Sequence, residues 1–238
     1  MKILVVIPAY NEEESIVEVV RNLNTVQPEV DYVIINDCST DNTVKICKEN
    51  GFNYIDLPVN LGIGGGVQAG YRYAVENGYD ITIQMDGDGQ HDPISINELV
   101  KPIIEKDVDL VIGSRFITND GFQSSVMRRV GINFLKWLIN ICCDVKINDT
   151  TSGFRAASKK LTQHFSTEYA QDYPEPEAII AAVLNGYRVC EVPVIMHERQ
   201  GGESSIKAFK TIYYMAKVSL AILIYRIGSF KSTREKKL

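Results

Sequence analysis

Short runs rich in β-branched residues alternate with stretches of helical periodicity through the first half of this 238-residue chain. The apolar runs lie at Ile3–Ile7, Tyr32–Ile35, Tyr54–Leu57, Ile81–Met85 and Leu110–Ile112. The intervening stretches with helical spacing are roughly Glu12–Leu23, Thr40–Asn50, Gly64–Asn77 and Ile94–Lys106. This alternation is typical of βαβ units and predicts an α/β fold, with a mainly parallel sheet flanked by helices on both faces.

Unusual polar residues follow three of the predicted strands, at the ends where a parallel sheet binds its ligands. The first strand leads into P-A-Y-N-E-E, which starts at Pro8, and the second leads into Asp37. The fourth leads into D-G-D-G-Q-H-D-P, with carboxylates at Asp86 and Asp88. An isolated D-G-D-G is typical of a solvated turn. Convergence of the three segments on one edge favours a site for Mg²⁺ or Mn²⁺, which prefer oxygen ligands and bridge carboxylates to substrate phosphates.

The second half of the chain is less regular. Val126–Cys142 has the pattern of an amphipathic helix with Trp137 on its apolar side, and a polar loop runs from Asn148 to Arg155. A second helix is predicted at Ala178–Asn185, and Arg188–Val194 resembles a strand. With no repeat or linker in view, residues 1–204 are predicted to form a single catalytic domain.

The five cysteines are an odd number and include no C-x-x-C pair. This usage argues against a disulfide framework or a zinc site and favours a reducing, cytoplasmic setting.

Charge divides the chain unevenly. Residues 205–238 carry eight basic side chains and one acidic side chain, a net charge of +7, whereas the remainder has 17 basic and 29 acidic residues, a net charge of −12. An acidic body with a basic tail is not the pattern of a nucleic-acid binder. The uncharged stretch Val218–Tyr225 is too short to cross a bilayer. Residues 205–238 therefore suit an in-plane amphipathic helix that docks on a membrane or a membrane partner, with a helix packed on the domain as the alternative.

A glycine-rich stretch raises the possibility of a different class of protein. Gly64, Gly66 and Ala69 match G-x-G-x-x-A between a predicted strand and a predicted helix, as in NAD(P)- or flavin-dependent oxidoreductases. However, that fingerprint usually follows the first strand, and here the first strand leads into a segment without glycine. A ribose-binding acid should also stand alone, whereas Asp86 lies within D-G-D-G-Q.

Seven segments in order resemble the family-2 glycosyltransferases with the GT-A fold. They run from residue 5 to about residue 206 and are V-V-I-P-A-Y-N-E-E-E, I-N-D-C-S-T-D-N-T, N-L-G-I-G-G-G-V-Q-A-G, Q-M-D-G-D-G-Q-H-D-P, I-G-S-R-F, D-T-T-S-G-F-R-A and H-E-R-Q-G-G-E-S-S-I. The branch that they resemble most is that of dolichol-phosphate mannose synthase and its polyprenyl-phosphate relatives. The resemblance implies an inverting, metal-dependent transfer of a sugar from a nucleotide-diphosphate sugar to a polyprenyl-phosphate or lipid-linked saccharide acceptor, in cell-surface glycan synthesis at the cytoplasmic face of a membrane. A non-catalytic nucleotide-sugar-binding module is a further alternative.

The resemblance also implies roles for individual residues. The expected contacts to the nucleotide-sugar donor come from the carboxyl edge of the sheet and are Pro8, Tyr10, Glu12, Asp37, Gly64 and Asp86. Asp86, Asp88 and Gln90 would hold Mg²⁺ or Mn²⁺, which assists departure of the diphosphate. Arg115 and Arg199 would bind phosphate, since a guanidinium is a permanently charged bidentate donor.

The base is left open among three carboxylates, Glu175, Glu177 and Asp149. A hydroxyl acceptor needs such a base, whereas an acceptor phosphate is already ionised. Both glutamates could instead serve the dipole of a helix that starts at Tyr173–Glu177. Arg155 is a weaker phosphate candidate, with an ion pair to Asp149 as its alternative.

Overall fold

A computed structural model describes residues 1–118, 126–172, 174–198 and 217–220. Its strands are β1 Ile3–Ala9, β2 Asp31–Asn36, β3 Tyr54–Asp56, β4 Ile81–Gln84, β5 Leu110–Ser114, β6 Arg155–Ser158 and β7 Val189–Pro193. Its helices are α1 Ile16–Val26, α2 Thr43–Glu49, α3 Gly62–Glu76, α4 Ile96–Lys106, α5 Val126–Cys143, α6 Lys159–Thr167 and α7 Pro174–Leu184. The prediction of an α/β chain is confirmed, with every predicted strand and helix of the first half present.

The strands form one sheet in the order β3-β2-β1-β4-β6-β5-β7, parallel except for β6. β1 lies between β2 and β4, so the chain direction along the sheet reverses beside β1. A ligand crevice is expected at this position, at the carboxyl ends of the strands.

Both faces of the central strands are buried, which explains why β1 is a continuous apolar run. Val5 and Ile7 face a core shared with α1 and α4, whereas Leu4 and Val6 face a core beside α3. A third cluster lies where α3, α5, α6 and α7 meet.

β6 and α6 were not predicted. β6 reads R-A-A-S and lacks the β-branched residues that identify a strand, and it lies antiparallel between β4 and β5. It passes directly into α6, whose N-cap is Ser158, the last residue of the strand; the Ser158 hydroxyl accepts a hydrogen bond from Leu161 N at 3.3 Å. No turn separates the two elements. Arg155 therefore lies in the sheet rather than in a polar loop.

Trp137, predicted on the apolar side of an amphipathic helix, lies on an apolar side of α5 that is not the buried one. The buried face of α5 carries Ile132, Leu135, Ile139 and Cys143. Trp137 lies on the opposite face and is 57% exposed. The helix is apolar on two sides, so its periodicity alone did not identify the side that packs on the protein.

The predicted tail falls mostly outside the described residues. Residues 217–220 are helical, Val218 is buried in the cluster formed by α3, α5, α6 and α7, and Lys217 pairs with Asp172. This part of the tail packs on the body of the protein. No helix in the described ranges combines the length and hydropathy needed to cross a bilayer.

Candidate active site

The carboxyl ends of β1 and β4 meet at Gly87. The Ser15 hydroxyl lies 2.7 Å from the carbonyl oxygen of Gly87 and 3.0 Å from Glu12 Oε2. A Cβ built on Gly87 would lie 3.2 Å from the carbonyl oxygen of Pro8 and 3.6 Å from Glu12 Cγ. Glu12 is buried, and its N–H donates to Thr43 Oγ1 at 2.9 Å. The structure thus brings Pro8 and Glu12 against the D-G-D-G segment.

Asp37 and Tyr10 lie at the ends of β2 and β1. Asp37 is buried, and its Oδ1 accepts a hydrogen bond from Leu61 N at 2.6 Å, so this carboxylate also fixes the chain ahead of α3. Tyr10 is 48% exposed, with its ring available to a ligand.

Two residues at this edge, Asn11 and Cys38, have a positive φ of 58°. Such conformations cost free energy in residues other than glycine and concentrate at functional sites. Neither conformation was predicted from the sequence: asparagine is among the residues other than glycine that adopt a positive φ most often, whereas cysteine gives no such signal.

Asp86, Asp88 and Gln90 are three oxygen-bearing side chains in the segment that follows β4. Asp88 is buried, and its Oδ1 accepts a hydrogen bond from Gln90 N at 3.1 Å. Gln90 Nε2 donates to the carbonyl oxygen of His197 at 3.4 Å, so the amide oxygen is the atom that could ligate a cation. Among the described residues, no group of three or more His, Cys, Asp or Glu side chains is arranged to hold a cation. Two carboxylates and one amide suit a hard cation whose other ligands come from a substrate diphosphate.

His91 packs beneath Asp86. Its ring is stacked on Phe154 with centroids 4.7 Å apart and an interplanar angle of 9°. His91 Nδ1 accepts a hydrogen bond from Asp86 N at 3.0 Å. Burial lowers the pKa of His91, against the opposing effect of Asp86 and Asp88. No role was predicted for His91 from the sequence, although it lies directly after Gln90.

Arg115 and Asp149 form a buried bidentate ion pair. Arg115 Nε lies 2.7 Å from Asp149 Oδ2, and Arg115 Nη2 lies 2.8 Å from Oδ1. Asp149 also accepts a hydrogen bond from Arg115 N at 3.2 Å and has no exposed surface. This geometry does not fit the predicted role of Asp149 as a base, because its lone pairs are directed at Arg115. The pair that the sequence suggested between Arg155 and Asp149 is instead made by Arg115.

Glu191 on β7 holds the same loop from the other side and was missed in the sequence. Its Oε1 accepts hydrogen bonds from the N–H groups of Asn148 and Asp149 at 2.8 and 2.6 Å, and its Oε2 accepts one from Asn148 Nδ2 at 2.9 Å. A carboxylate that accepts two backbone N–H groups in a row fixes a turn firmly. The available signal in the sequence was a charged residue, Glu191, inside the predicted strand Arg188–Val194.

Arg155 is almost fully buried, and its guanidinium is engaged by backbone carbonyl groups. It donates two hydrogen bonds to the carbonyl oxygen of Ser152, at 2.6 and 3.0 Å, and one to that of Glu175 at 2.9 Å. Burial raises the pKa of Tyr71 to about 12, an effect opposed by Arg155 and reinforced by Glu175. Arg155 therefore links the loop at residue 152 to the first turn of α7.

The predicted bases on α7 are separated. Glu175 is half-buried beside Arg155, whose partner across the sheet is Gln84 at the end of β4. Glu177 instead lines a small cleft between α6 and α7, with His164, Glu168 and Asn185. Burial and the neighbouring Asp172 raise the pKa of Glu177, and Lys217 acts against them.

Packing of α3 against residues 170 and 171 requires glycine at position 64. A Cβ at Gly64 would lie 2.1 Å from the carbonyl oxygen of Ala170 and 2.4 Å from that of Gln171. α3 therefore approaches this segment more closely than any side chain allows. Arg199, the second predicted phosphate ligand, lies outside the described residues.

Comparison with known proteins places this architecture among sugar transferases. UDP-N-acetylglucosamine–dolichyl-phosphate N-acetylglucosaminyltransferase of Methanococcus voltae is 31% identical over 94% of this chain and 92% of its own length. Undecaprenyl-phosphate mannosyltransferase of Micrococcus luteus is 28% identical, covering 87% of this chain and 88% of that protein. Glucosyl-3-phosphoglycerate synthase from Mycobacterium tuberculosis, solved with Mn²⁺, UDP-glucose and phosphoglyceric acid, is 20% identical with a TM-score of 0.73, covering 95% of this chain and 80% of that chain. That likeness confirms the GT-A fold.

Residues 4–165 match the family described as glycosyl transferase family 2. The match spans β1 to α6 and includes the segments that carry Pro8, Asp37, Asp86, Arg115 and Asp149. The chain belongs to glycosyl transferase family 2 and is a glycosyltransferase.

Proposed function

We propose that this enzyme transfers a sugar, with inversion at the anomeric carbon, from a nucleotide-diphosphate sugar to polyprenyl phosphate in cell-surface glycan synthesis. The observation that carries the proposal is the meeting of Glu12, Gly87 and the Asp86/Asp88 pair at the carboxyl ends of β1 and β4. Ligands of open parallel sheets bind where the strand order reverses. That position is beside β1 in this sheet.

The donor's nucleotide is assigned to the β1–β2 side of the edge. The Tyr10 ring offers an apolar face to a base, and Asp37 supplies an acceptor for a base N–H. The buried Glu12 adds a second carboxylate beside the segment from Asp86 to Gln90. These groups bind and orient the donor, which brings its anomeric carbon to the open end of β4.

Asp86, Asp88 and Gln90 are the residues that would hold Mg²⁺ or Mn²⁺. A divalent cation there supplies neutralisation of the charge that develops on the leaving diphosphate. Asp88 is anchored by Gln90 N, so one carboxylate is already directed before substrate arrives.

Polyprenyl phosphate is favoured over a sugar hydroxyl as the acceptor, because a phosphate oxygen is ionised without a base. Asp149 is engaged by Arg115, and Glu177 faces the cleft between α6 and α7. Glu175 is the candidate base that remains if the acceptor is a lipid-linked saccharide. The names of the two relatives, a dolichyl-phosphate and an undecaprenyl-phosphate transferase, support the phosphate acceptor.

An exposed apolar stripe on α5 supports action at a membrane surface. Val130, Phe134, Trp137 and Ile141 share one face of the helix and are between 43% and 66% exposed. The helix carries three basic residues and no acidic residue, which complements an anionic lipid surface. Lys136 donates to Asn148 Oδ1 at 2.7 Å, so the stripe lies beside the loop that contains Asp149. We assign this stripe to the cytoplasmic face of the bilayer that carries the acceptor.

The catalytic proposal is tested by transfer from radiolabelled UDP- and GDP-sugars to undecaprenyl or dolichyl phosphate, with Mn²⁺ or with EDTA. We expect labelled lipid with Mn²⁺ and none with EDTA, and we expect Asp88→Asn to abolish turnover. Asp80→Asn is the matched control, because Asp80 lies at the opposite end of β4 and pairs with Lys159. Full activity of Asp88→Asn would contradict the proposal.

The membrane proposal is tested by co-sedimentation with anionic vesicles. We expect the double variant Phe134→Ser, Trp137→Ser to lose binding, whereas Ile104→Ser, at a 55% exposed residue of α4, should retain it. Truncation after residue 204 separates the contribution of the tail, whose membrane role remains a prediction. Equal vesicle binding by all the α5 and α4 variants would contradict the assignment of the stripe.

A further inference from the structure

Asp86 is a carboxylate that needs an orienting partner. Its side chain is 32% exposed, and the like charge of Asp88 lies two residues along the chain. Two neighbouring carboxylates repel each other and swing apart unless they are held. Asp88 is held from residue 90 by Gln90 N at 3.1 Å, and Asp86 is contacted from residue 84 by Gln84 Nε2 at 3.2 Å.

The contact with Asp86 explains why residue 84 is an amide. Gln84 is 1% exposed at the end of β4, and its Oε1 has no hydrogen-bond partner among the described residues. Burying an amide with one end unsatisfied is costly compared with an apolar side chain of the same size. The contact of its Nε2 with Asp86 Oδ1 is what the amide provides.

Gly153 packs closely against the Asp86 carboxylate and the Gln84 amide. A Cβ at Gly153 would lie 2.7 Å from Asp86 Oδ2, 3.0 Å from Asp86 Oδ1 and 3.0 Å from Gln84 Nε2. Its φ is not in the left-handed region, so conformational freedom does not require glycine here. Glycine is required because residue 153 lies so close to the Asp86 carboxylate.

The backbone around Gly153 cannot withdraw from Asp86. The carbonyl oxygen of Ser152 accepts two hydrogen bonds from the buried Arg155, and that of Phe154 accepts one from Gly113 N at 2.8 Å. A methyl group at residue 153 would therefore displace the Asp86 carboxylate, which is the movable end of a side chain.

The backbone of Asp86 is fixed from below by His91, whose Nδ1 accepts the Asp86 N–H and whose ring is stacked on Phe154. His91 also lies near the carboxylate, with its Nε2 3.8 Å from Asp86 Oδ2, whereas Gln84 and Gly153 make closer contacts to that group. We infer that Gln84 and Gly153 are positioning residues for Asp86, which hold its carboxylate in the orientation that binds the divalent cation. This inference rests on the proposed metal-dependent function.

The experiment is a Mn²⁺ titration of the full chain, followed by the electron paramagnetic resonance signal of free Mn²⁺, with thermal unfolding of each variant alongside. Gln84→Met keeps length and removes the donor, and Gly153→Ala adds the methyl group. Partners outside the first coordination shell typically contribute about 10-fold to 100-fold in metal affinity. We expect Mn²⁺ to bind each variant about 10-fold more weakly, at the lower end of that range. Thr82→Val is the matched control: it removes a buried hydrogen bond, Thr162 Oγ1 to Thr82 Oγ1 at 3.2 Å, on the same face of β4.

A structural role alone would lower the unfolding temperature and leave Mn²⁺ affinity unchanged, as expected for Thr82→Val. Wild-type affinity in both Gln84→Met and Gly153→Ala overturns the inference, provided that the wild type binds Mn²⁺ and Asp88→Asn does not. Absence of Mn²⁺ binding by the wild type overturns the metal proposal and this inference together. The two failures are therefore distinguishable.

Discussion

Removing the carboxylate of Asp149 should cost this protein much of its stability. Asp149 has no exposed surface, Arg115 is 8% exposed, and two contacts of 2.7 and 2.8 Å join them. Asp149→Ala would leave a guanidinium buried without its principal counter-ion. Loss of one partner from a buried pair costs about 3–5 kcal/mol. Because the free energy of unfolding of a domain of this kind is only about 5–15 kcal/mol, the variant should retain little of its stability.

The assay is urea unfolding of the wild type, Asp149→Ala, the milder Asp149→Asn, and the double variant Asp149→Leu, Arg115→Met. Replacing both charges with apolar side chains removes the stranded charge, so the double variant should recover most of the loss. Glu49→Ala is the control, because the Lys45–Glu49 pair is 4.0 Å apart and exposed. That change should alter the free energy of unfolding by less than about 0.5 kcal/mol.

Two results would refute this reasoning. Equal stability of Asp149→Ala and Glu49→Ala would show that the pair does not stabilise the fold. Wild-type stability of Asp149→Asn with loss of all turnover would be the signature of a base rather than of a counter-ion.

Three further outcomes are expected. Gly64→Ala should lower the free energy of unfolding by about 1–3 kcal/mol, because its Cβ meets backbone oxygens that cannot yield. Gly66→Ala in the same helix should not, since its Cβ meets only a carbon atom at 4.0 Å; equal unfolding temperatures for the two would contradict this packing argument. Burial raises the pKa of Glu177 from 4.5, so the folded state holds this proton more tightly than the unfolded state and loses stability as the pH rises from 4.5 through the raised pKa. In thermal unfolding, the advantage of Glu177→Gln over the wild type should grow across that window and then level off; an advantage independent of pH would be contrary evidence. Glu191→Gln should lower the free energy of unfolding by about 1–3 kcal/mol, because an amide nitrogen would then face the Asn148 side chain. A free energy of unfolding equal to that of the wild type, measured in urea, would contradict this role of Glu191.

The sequence was sufficient for the architecture because apolar runs and helical spacing alternate so regularly. It failed at β6 for a physical reason. A strand buried between two neighbours can be made of alanines, since the neighbouring strands supply the hydrogen bonds, and R-A-A-S carries no local preference for extended backbone. The direct passage from strand to helix at Ser158 also removed the turn residues that would have marked a boundary.

In the candidate site, the sequence indicated which residue types would lie there but not which side chains would pair. Asp86 and Asp88 were predictable, because position after a strand and acidic character are both local properties. The pairing of Asp149 with Arg115 was not, because Arg155 lies closer in the sequence. The antiparallel β6 decides between the two arginines: it places Arg155 opposite Gln84, and its guanidinium then reaches the carbonyl oxygen of Ser152.

These pairings bear on the acceptor. A sugar hydroxyl requires a carboxylate that is exposed to the acceptor and not already committed to a cation. Asp149 is committed to Arg115, and Glu177 lies in the cleft between α6 and α7. A phosphate acceptor needs no such carboxylate and is attracted to cationic side chains instead. In the proposed function, Asp86 and Asp88 serve the leaving diphosphate rather than the acceptor, and this fits a nucleophile that arrives already ionised.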